Sequence, residues 1–255
     1  RFDQVSQLVT EVPPSAQLLV ERFWPGPLSL ILPASPQVPE IVTAGRSGVG
    51  LRMPSHPVAL ALINAAGPLA APSANLSGRP SPINAQHVKD DLDGLIAAVL
   101  DGGVTGLGIE STVVDLCGPE PRLVRIGGVS QSQLESVLGQ KLVMAAEEPS
   151  SLPHYRTSAR VILADSDGML EETARKYLSQ GKKVAVVYNK LSPEHTIDGV
   201  NYFHLNLSSS GSDIYQVLRE AERQHIQVLV FAPLPGNADG VTAAVLDRIS
   251  QAAQE

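Results

Sequence analysis

Cysteine is nearly missing from this chain: Cys117 stands alone, which excludes an intrachain disulfide framework and a cysteine cage for a metal. Aromatic residues make up only 4% of the 255 residues, so a core has to be built from aliphatic side chains. No run of Lys or Arg occurs and the formal net charge is −7. The chain therefore lacks the electrostatic footprint of a nucleic-acid binder, and weak or no direct nucleic-acid binding is expected. No apolar stretch reaches the length of a bilayer span and no signal-peptide pattern opens the chain, so we expect no membrane association and a reducing, cytoplasmic setting. A Walker loop, a Gly-x-Gly-x-x-Gly fingerprint and a Gly-x-Ser-x-Gly elbow are also lacking, and His56, His87 and His154 do not have metal-ligand spacing.

What is present is a chain able to fold. Apolar residues reach 43% against 18% charged, enough for a real core, and 21 Gly with 20 Pro imply many tight turns. Hydrophobic spacing predicts helices over residues 15–23, 57–65, 85–91 and 130–138, the last with Ser130 as cap. Strands are expected at 28–32, 48–52, 68–71 and 95–101, with 111–116 and 122–126 as a hairpin. Between 143 and 158 the periodicity dissolves into Ala, Glu, Pro and Ser, which reads as an interdomain linker. Beyond it, strand patterns at 161–164, 183–188, 202–205 and 228–232 alternate with helical ones at 169–179, 213–225 and 241–253. That alternation implies right-handed crossovers and a mostly parallel sheet. The expectation is an α/β protein with a first domain over residues 1–142 and a second over 159–255. The opening Arg1, in place of methionine, leads us to expect residues upstream.

Three segments carry groups suited to chemistry. In Leu69-Ala70-Ala71-Pro72-Ser73-Ala74-Asn75-Leu76-Ser77-Gly78-Arg79-Pro80-Ser81-Pro82, small residues allow close approach to the backbone. Ser73, Asn75, Ser77 and Ser81 add hydroxyls and an amide suited to phosphate or ribose oxygens. The same composition also makes an ordinary surface turn. Arg52, closing Gly48-Val49-Gly50-Leu51-Arg52, can grip a carboxylate or phosphate through two parallel hydrogen bonds, or stand solvated at a strand end. Arg125 lies within an apolar run, where an unpaired charge is costly, and this favours an anionic partner. In Gly106-Leu107-Gly108-Ile109-Glu110-Ser111-Thr112, the hydroxyls at 111 and 112 stand at the mouth of a strand, facing a ligand or capping a turn.

Taken in order, Phe23-Trp24-Pro25-Gly26-Pro27-Leu28, Gly50-Leu51-Arg52-Met53-Pro54-Ser55-His56-Pro57, Ala71-Pro72-Ser73-Ala74-Asn75-Leu76-Ser77-Gly78 with Ser81-Pro82, Glu110-Ser111-Thr112-Val113-Val114-Asp115 and Arg125-Ile126-Gly127-Gly128 resemble the Sua5/YrdC family. The second domain and the His154-Tyr155 step resemble the longer Sua5 form. The resemblance implies a YrdC-like twisted mixed sheet with a cavity, followed by a Rossmann-like domain. It implies synthesis of threonylcarbamoyl-AMP from L-threonine, bicarbonate or CO2, and ATP, with Mg²⁺ accompanying the ATP and a tRNA-modifying transferase downstream. By the same resemblance Ser73 and Ser81 contact the nucleotide, Arg125 the phosphates and Arg52 the threonine carboxylate. Ala71 and Ser111 line the amino-acid pocket, and Tyr155, Asn75 and His154 add contacts to ATP. The family's opening Pro-Thr-Glu-Thr-x-Tyr-Gly run and Lys-x-Arg motif are expected ahead of Arg1. Gly48 stands where the family has threonine, and the linker reads His154-Tyr155-Arg156-Thr157 in place of His-Tyr-Ala-Pro. A nucleotide- or RNA-binding module without turnover is the alternative. A carbamoyl transferase domain of the hydrogenase-maturation kind is a third reading, which the single cysteine disfavours.

Overall fold

The structure, a computed structural model, describes residues 2–146, 155, 157–189, 196–207, 211–235 and 238–253. In chain order its helices are α1 (Pro14–Phe23), α2 (Glu40–Thr43), α3 (Pro57–Ala66), α4 (Ala85–Leu92), α5 (Gln131–Leu138), α6 (Asp167–Ser179), α7 (Ser212–Arg223) and α8 (Gly240–Ala252). Its strands are β1 (Leu28–Pro33), β2 (Gly48–Leu51), β3 (Thr112–Asp115), β4 (Arg122–Arg125), β5 (Val143–Met144), β6 (Arg160–Leu163), β7 (Val184–Tyr188), β8 (Asn201–His204) and β9 (Val228–Phe231). The chain divides into two compact units. One comprises Arg1–Pro72, Ile109–Pro149 and Asp239–Val241, and the other Ser73–Gly108, Ser150–Ala238 and Thr242–Glu255.

The first unit is built on a mixed sheet in the order β2-β1-β3-β4-β5. β1 runs antiparallel to β2 and parallel to β3, and the β3–β4 hairpin is antiparallel. Alternation decides which face is buried: Leu28, Leu30 and Leu32 of β1 point into the core, while Ser29 and Ile31 take the other side. Val49, Val114, Leu116 and Leu123 continue the apolar face, which packs with Ala16 and Leu19 of α1 and Leu134 of α5. Pro14 sits in the first turn of α1, where its missing N–H has no cost. Ser130 and Gln133 close a capping box at the start of α5, and Gly139 ends it in the left-handed region.

The second unit carries an all-parallel sheet in the order β6-β9-β7-β8. Every residue of β9, and all of β7 but Tyr188, is buried, as expected of inner strands covered on both faces. Ser166 caps α6, and α7 buries Ile214, Tyr215, Val217, Leu218 and Ala221 along one side. The mixed sheet, and the parallel sheet with its helices, agree with the α/β class expected. No helix of the described residues is long and apolar enough to cross a membrane.

Two expected strands are not formed. Residues 68–71 and 95–101 have no ladder partner among the described residues, and Leu95 and Leu100 are 70% and 64% exposed. An apolar, β-prone run becomes a strand only when a neighbour takes up its N–H and C=O groups. Conversely, a 3-10 turn at Phe2–Gln7, the single-turn α2 and the two-residue β5 carry no readable period.

Candidate active site

The polar face of the first sheet gathers most of the expected amino-acid pocket. Ser29 lies opposite Val113 on β3, and Val113 opposite Arg125 on β4. Extending the β1–β2 register by one residue past Leu30 and Leu51 sets Arg52 opposite Ser29. Arg52 and Arg125 thus end a row across four strands, about 14 Å apart at their backbones by the usual strand spacing. Burial first, and then the charge of Arg125, hold the Arg52 guanidinium below the usual arginine pKa. Arg52 keeps part of its surface open to solvent and is also anchored by its Nε on the turn before β1.

Local structure fixes each arginine. Phe23-Trp24-Pro25-Gly26 turns the chain so that the Gly26 carbonyl accepts from Arg52 Nε at 2.9 Å, while the Gly26 N–H bonds the Met53 carbonyl at 2.8 Å. Trp24 Nε1 secures the turn by donating to the Leu28 carbonyl at 2.7 Å. No carboxylate pairs with Arg52 among the described residues. Arg125 Nε and Nη2 both donate to the Ser111 carbonyl, at 3.1 and 2.9 Å, and Nη2 reaches the Ser111 hydroxyl at 3.2 Å.

Ser111 is 4% exposed and its Oγ lies 2.7 Å from the Ser29 hydroxyl. Ser29 was not among the residues expected from sequence. Its signal was the strand alternation itself, which sets a hydroxyl on the face opposite three buried leucines. The adjoining Thr112 is wholly buried, donating to the Val129 carbonyl at 2.6 Å and accepting its N–H at 2.9 Å. Gly127 is required here, because a Cβ on it would stand 2.3 Å from the Glu110 carbonyl oxygen and the Thr112 nitrogen. The Arg125-Ile126-Gly127-Gly128 motif therefore lets the Ser111 backbone run directly against the turn after β4.

Gly48 is explained by packing. A Cβ there would lie 2.6 Å from Ile31 Cγ2 and 2.8 Å from Cys117 Sγ, so the thiol fills the room a threonine would need. Burial first, and then Asp115, push that thiol up to about 12. Cys117 is a spacer in this position, not a nucleophile. Ala71 belongs to the same unit and is exposed on irregular chain.

Ser73, Asn75 and Ser81 belong to the second unit. Ser73 is exposed and Ser81 half-buried. Asn75 Nδ2 donates to the Leu76 and Arg79 carbonyls at 2.9 and 3.1 Å, closing the loop on itself, and its Oδ1 is buried without a partner among the described residues. The loop leads into α4, capped by Asn84 accepting from the His87 N–H at 2.9 Å. Tyr155, at φ 62°, packs 5.6 Å from the Tyr215 ring, with the Arg248 guanidinium 5.5 Å over its own ring. His154 lies outside the described residues. An open recess lined by Lys89, Asp93 and Ile96 contains none of the expected site residues.

Comparison with known proteins bears on both parts of the chain. Residues 1–127 match the Sua5–YciO–YrdC family, described as "Telomere recombination", and residues 129–254 match "Threonylcarbamoyl-AMP synthase, C-terminal domain". The threonylcarbamoyl-AMP synthases of Pyrococcus abyssi and Bacillus subtilis are each 37% identical, over 98% and 99% of this chain and 77% of theirs. That of Schizosaccharomyces pombe is 38% identical over 95% of this chain and 67% of its own. The crystal structure of P. abyssi Sua5 complexed with L-threonine matches with a TM-score of 0.88 at 36% identity, covering 99% of this chain and 78% of that one. A form of that protein with an adjacent histidine and tyrosine replaced by alanine matches at the same TM-score. On these grounds the chain belongs to the Sua5/YrdC family, in its longer form with the Sua5 C-terminal domain.

Proposed function

We propose that this protein is a threonylcarbamoyl-AMP synthase. The observation that carries the reading is a row across one sheet, with Arg52 at the Ser29 end and Arg125 at the Val113 end, beside which the Ser29 and Ser111 hydroxyls stand 2.7 Å apart and Arg125 reaches the Ser111 hydroxyl. Like charges held together raise the energy of the empty site and lower it once an anion enters. Threonine's carboxylate and the triphosphate of ATP are such anions. We assign the threonine carboxylate to Arg52, the amino-acid pocket to Ser111 and Ala71, and the phosphates to Arg125. Ser73, Ser81 and Asn75 are assigned to the nucleotide, where the partnerless Asn75 Oδ1 offers an acceptor for a ribose hydroxyl or the adenine amine. Tyr155 and His154 are assigned to ATP as well. A His-Tyr step occurs only there in the chain, and such a pair is the one replaced in the P. abyssi Sua5 variant.

The chemistry asks little covalent work of the protein. Threonine's amine captures CO2, releasing a proton and giving a carbamate. A carbamate oxygen then attacks the α-phosphorus of ATP, the bond from that phosphorus to the bridging oxygen breaks, and pyrophosphate leaves. Arg125 would neutralise charge that builds on the phosphoryl oxygens, and Arg52 would hold threonine so that its amine cannot turn away. Mg²⁺ would arrive on the triphosphate. Among the described residues no group of three or more His, Cys, Asp or Glu side chains is set to hold a metal, so phosphate oxygens and water would supply its ligands. The mixed anhydride formed suits transfer to an adenosine amine of tRNA by a separate transferase, and we place the protein in the cytoplasm, where ATP and that RNA are found.

The test is pyrophosphate release with threonine, bicarbonate and ATP each omitted in turn. Release is expected only with all of them present. Release that continues without threonine overturns the reading, and ATP binding with no threonine-dependent release selects the non-catalytic module instead.

A further inference from the structure

Arg219 of α7 is a buried cation with no part in the chemistry above. It is 7% exposed, and the Asp91 carboxylate it pairs with is wholly buried at its side chain. Its Nη2 donates to Asp91 Oδ2 at 2.9 Å and to the Pro80 carbonyl at 2.5 Å. Nη1 reaches Asp91 Oδ1 at 3.3 Å, and Nε points to the Ser81 carbonyl at 3.5 Å. Asp91 serves a second arginine from the loop itself: Arg79 Nη1 donates to Asp91 Oδ1 at 2.5 Å, while Arg79 Nη2 donates to Glu222 Oε2 at 2.6 Å, one turn of α7 further on. Asn75 closes the loop from inside by bonding the Arg79 carbonyl. Three successive residues, 79, 80 and 81, are thus tied by side chain or backbone to one ionic network.

Packing alone does not call for this network. A surface helix can rest on a loop through apolar contacts, and a desolvated ion pair is a costly way to join two elements. What a guanidinium adds is direction: its planar fork sets two carbonyls and a carboxylate at fixed angles to one another. The carbonyls so fixed belong to Pro80 and Ser81, next to the hydroxyl assigned to the nucleotide. Arg219 lies within residues 129–254 and the loop within residues 1–127, the two regions matched by separate families.

We propose that Arg219, with Asp91, is a positioning residue for ATP: helix α7 of the Sua5 domain sets the backbone of the Ser73–Ser81 loop for the nucleotide. This gives the C-terminal domain a direct task in the reaction, and it rests on the assignment of that loop to ATP. The network acts on the loop and not on the Arg52–Ser111 pocket, so its loss separates the two substrates.

The experiment compares the wild-type protein with Arg219→Met, Arg219→Lys and Glu222→Gln, measuring pyrophosphate release at varied ATP and at varied threonine, ATP affinity by calorimetry, and the unfolding temperature. Arg219→Met is expected to raise KM for ATP about tenfold or more, the loss of one to two well-made hydrogen bonds, while KM for threonine and kcat stay within about threefold. Arg219→Lys keeps the charge beside Asp91 but cannot span both carbonyls, and should fall between wild type and Arg219→Met. Glu222→Gln loosens only the outer arm and should move KM for ATP by about twofold. If Arg219→Met does not fold, the lysine and glutamine variants carry the same ordering. A folded Arg219→Lys or Arg219→Met protein with wild-type ATP affinity overturns the proposal, as does an equal rise in both KM values. Wild-type protein that binds ATP but releases no pyrophosphate contradicts the synthase reading alone, since the calorimetric comparison still decides the role of Arg219.

Discussion

At the scale of single residues, Arg125 is the most exacting test. Its guanidinium is held by the Ser111 carbonyl and hydroxyl, so the phosphate we assign to it would find the cation already oriented. Removing such a preorganised charge contact should lower kcat/KM by on the order of 100- to 1000-fold in Arg125→Ala, read from pyrophosphate release. Near-normal turnover would return Arg125 to a structural role. Gly48 makes a different demand. Gly48→Thr should cost about 1–3 kcal/mol through the clash with Ile31 and Cys117, and Cys117→Ala in the same chain should restore part of it. Equal denaturant midpoints for Gly48→Thr and wild type would show that the strand yields freely. The arginines and serines assigned to the pocket stand out in the sequence because charged and hydroxyl groups interrupt apolar runs where burial would otherwise be the rule. Ser29 escaped notice since a lone serine in Leu28-Ser29-Leu30 is ordinary alternation, and only pairing across the sheet brings it beside Ser111.

Among the elements, legibility followed where each one's stabilising partners lie along the chain. The capping box of Ser130 and Gln133 and the Ser166 cap are local, and α5 and α6 formed where expected. Residues 95–101 depend on a partner strand at unknown distance, and an apolar composition cannot supply one. Helix α4 offers a pH test of the loop it follows. Burial first, and then the charge of Arg219, hold His87 below its ordinary value of 6.5, against the opposing pull of Asp90 and Asp91. The neutral ring accepts the Ile83 N–H at Nδ1, a bond that protonation removes. Because the folded value lies below the unfolded one, the associated stability is fully present above 6.5 and is lost as pH falls from there through the folded pKa. The unfolding temperature should therefore drop on acidification across that window, and His87→Gln should flatten the drop. An unchanged slope in the variant would assign it to other groups.

For the molecule as a whole, the division into a mixed sheet and a parallel sheet was readable because strands alternating with helices demand crossovers, whereas the 111–126 hairpin demands an antiparallel pair. Residues 73–108 group with the later part of the chain, where Arg79, Arg219 and Asp91 meet across more than a hundred residues of sequence, a pairing that no local pattern announces. Net charge is the property that belongs only to this scale. With 26 acidic side chains against 19 Lys and Arg, the net field around the protein disfavours polyanions at long range, and the arginines we assign to phosphate would act locally. A mononucleotide can satisfy such a site, but an RNA of many phosphates needs a stripe of cations to release its counterions, and no such stripe exists in the sequence. Unmodified tRNA should therefore bind this chain more weakly than about 100 µM at physiological salt, at the weak end of nonspecific association, while ATP binds far more tightly. The measurement is a salt series of tRNA binding by fluorescence anisotropy. Saturable binding below a micromolar, falling steeply as salt rises, would reveal a basic surface that the charge balance conceals, and the adenylate would then be delivered on this protein instead of by diffusion to a transferase.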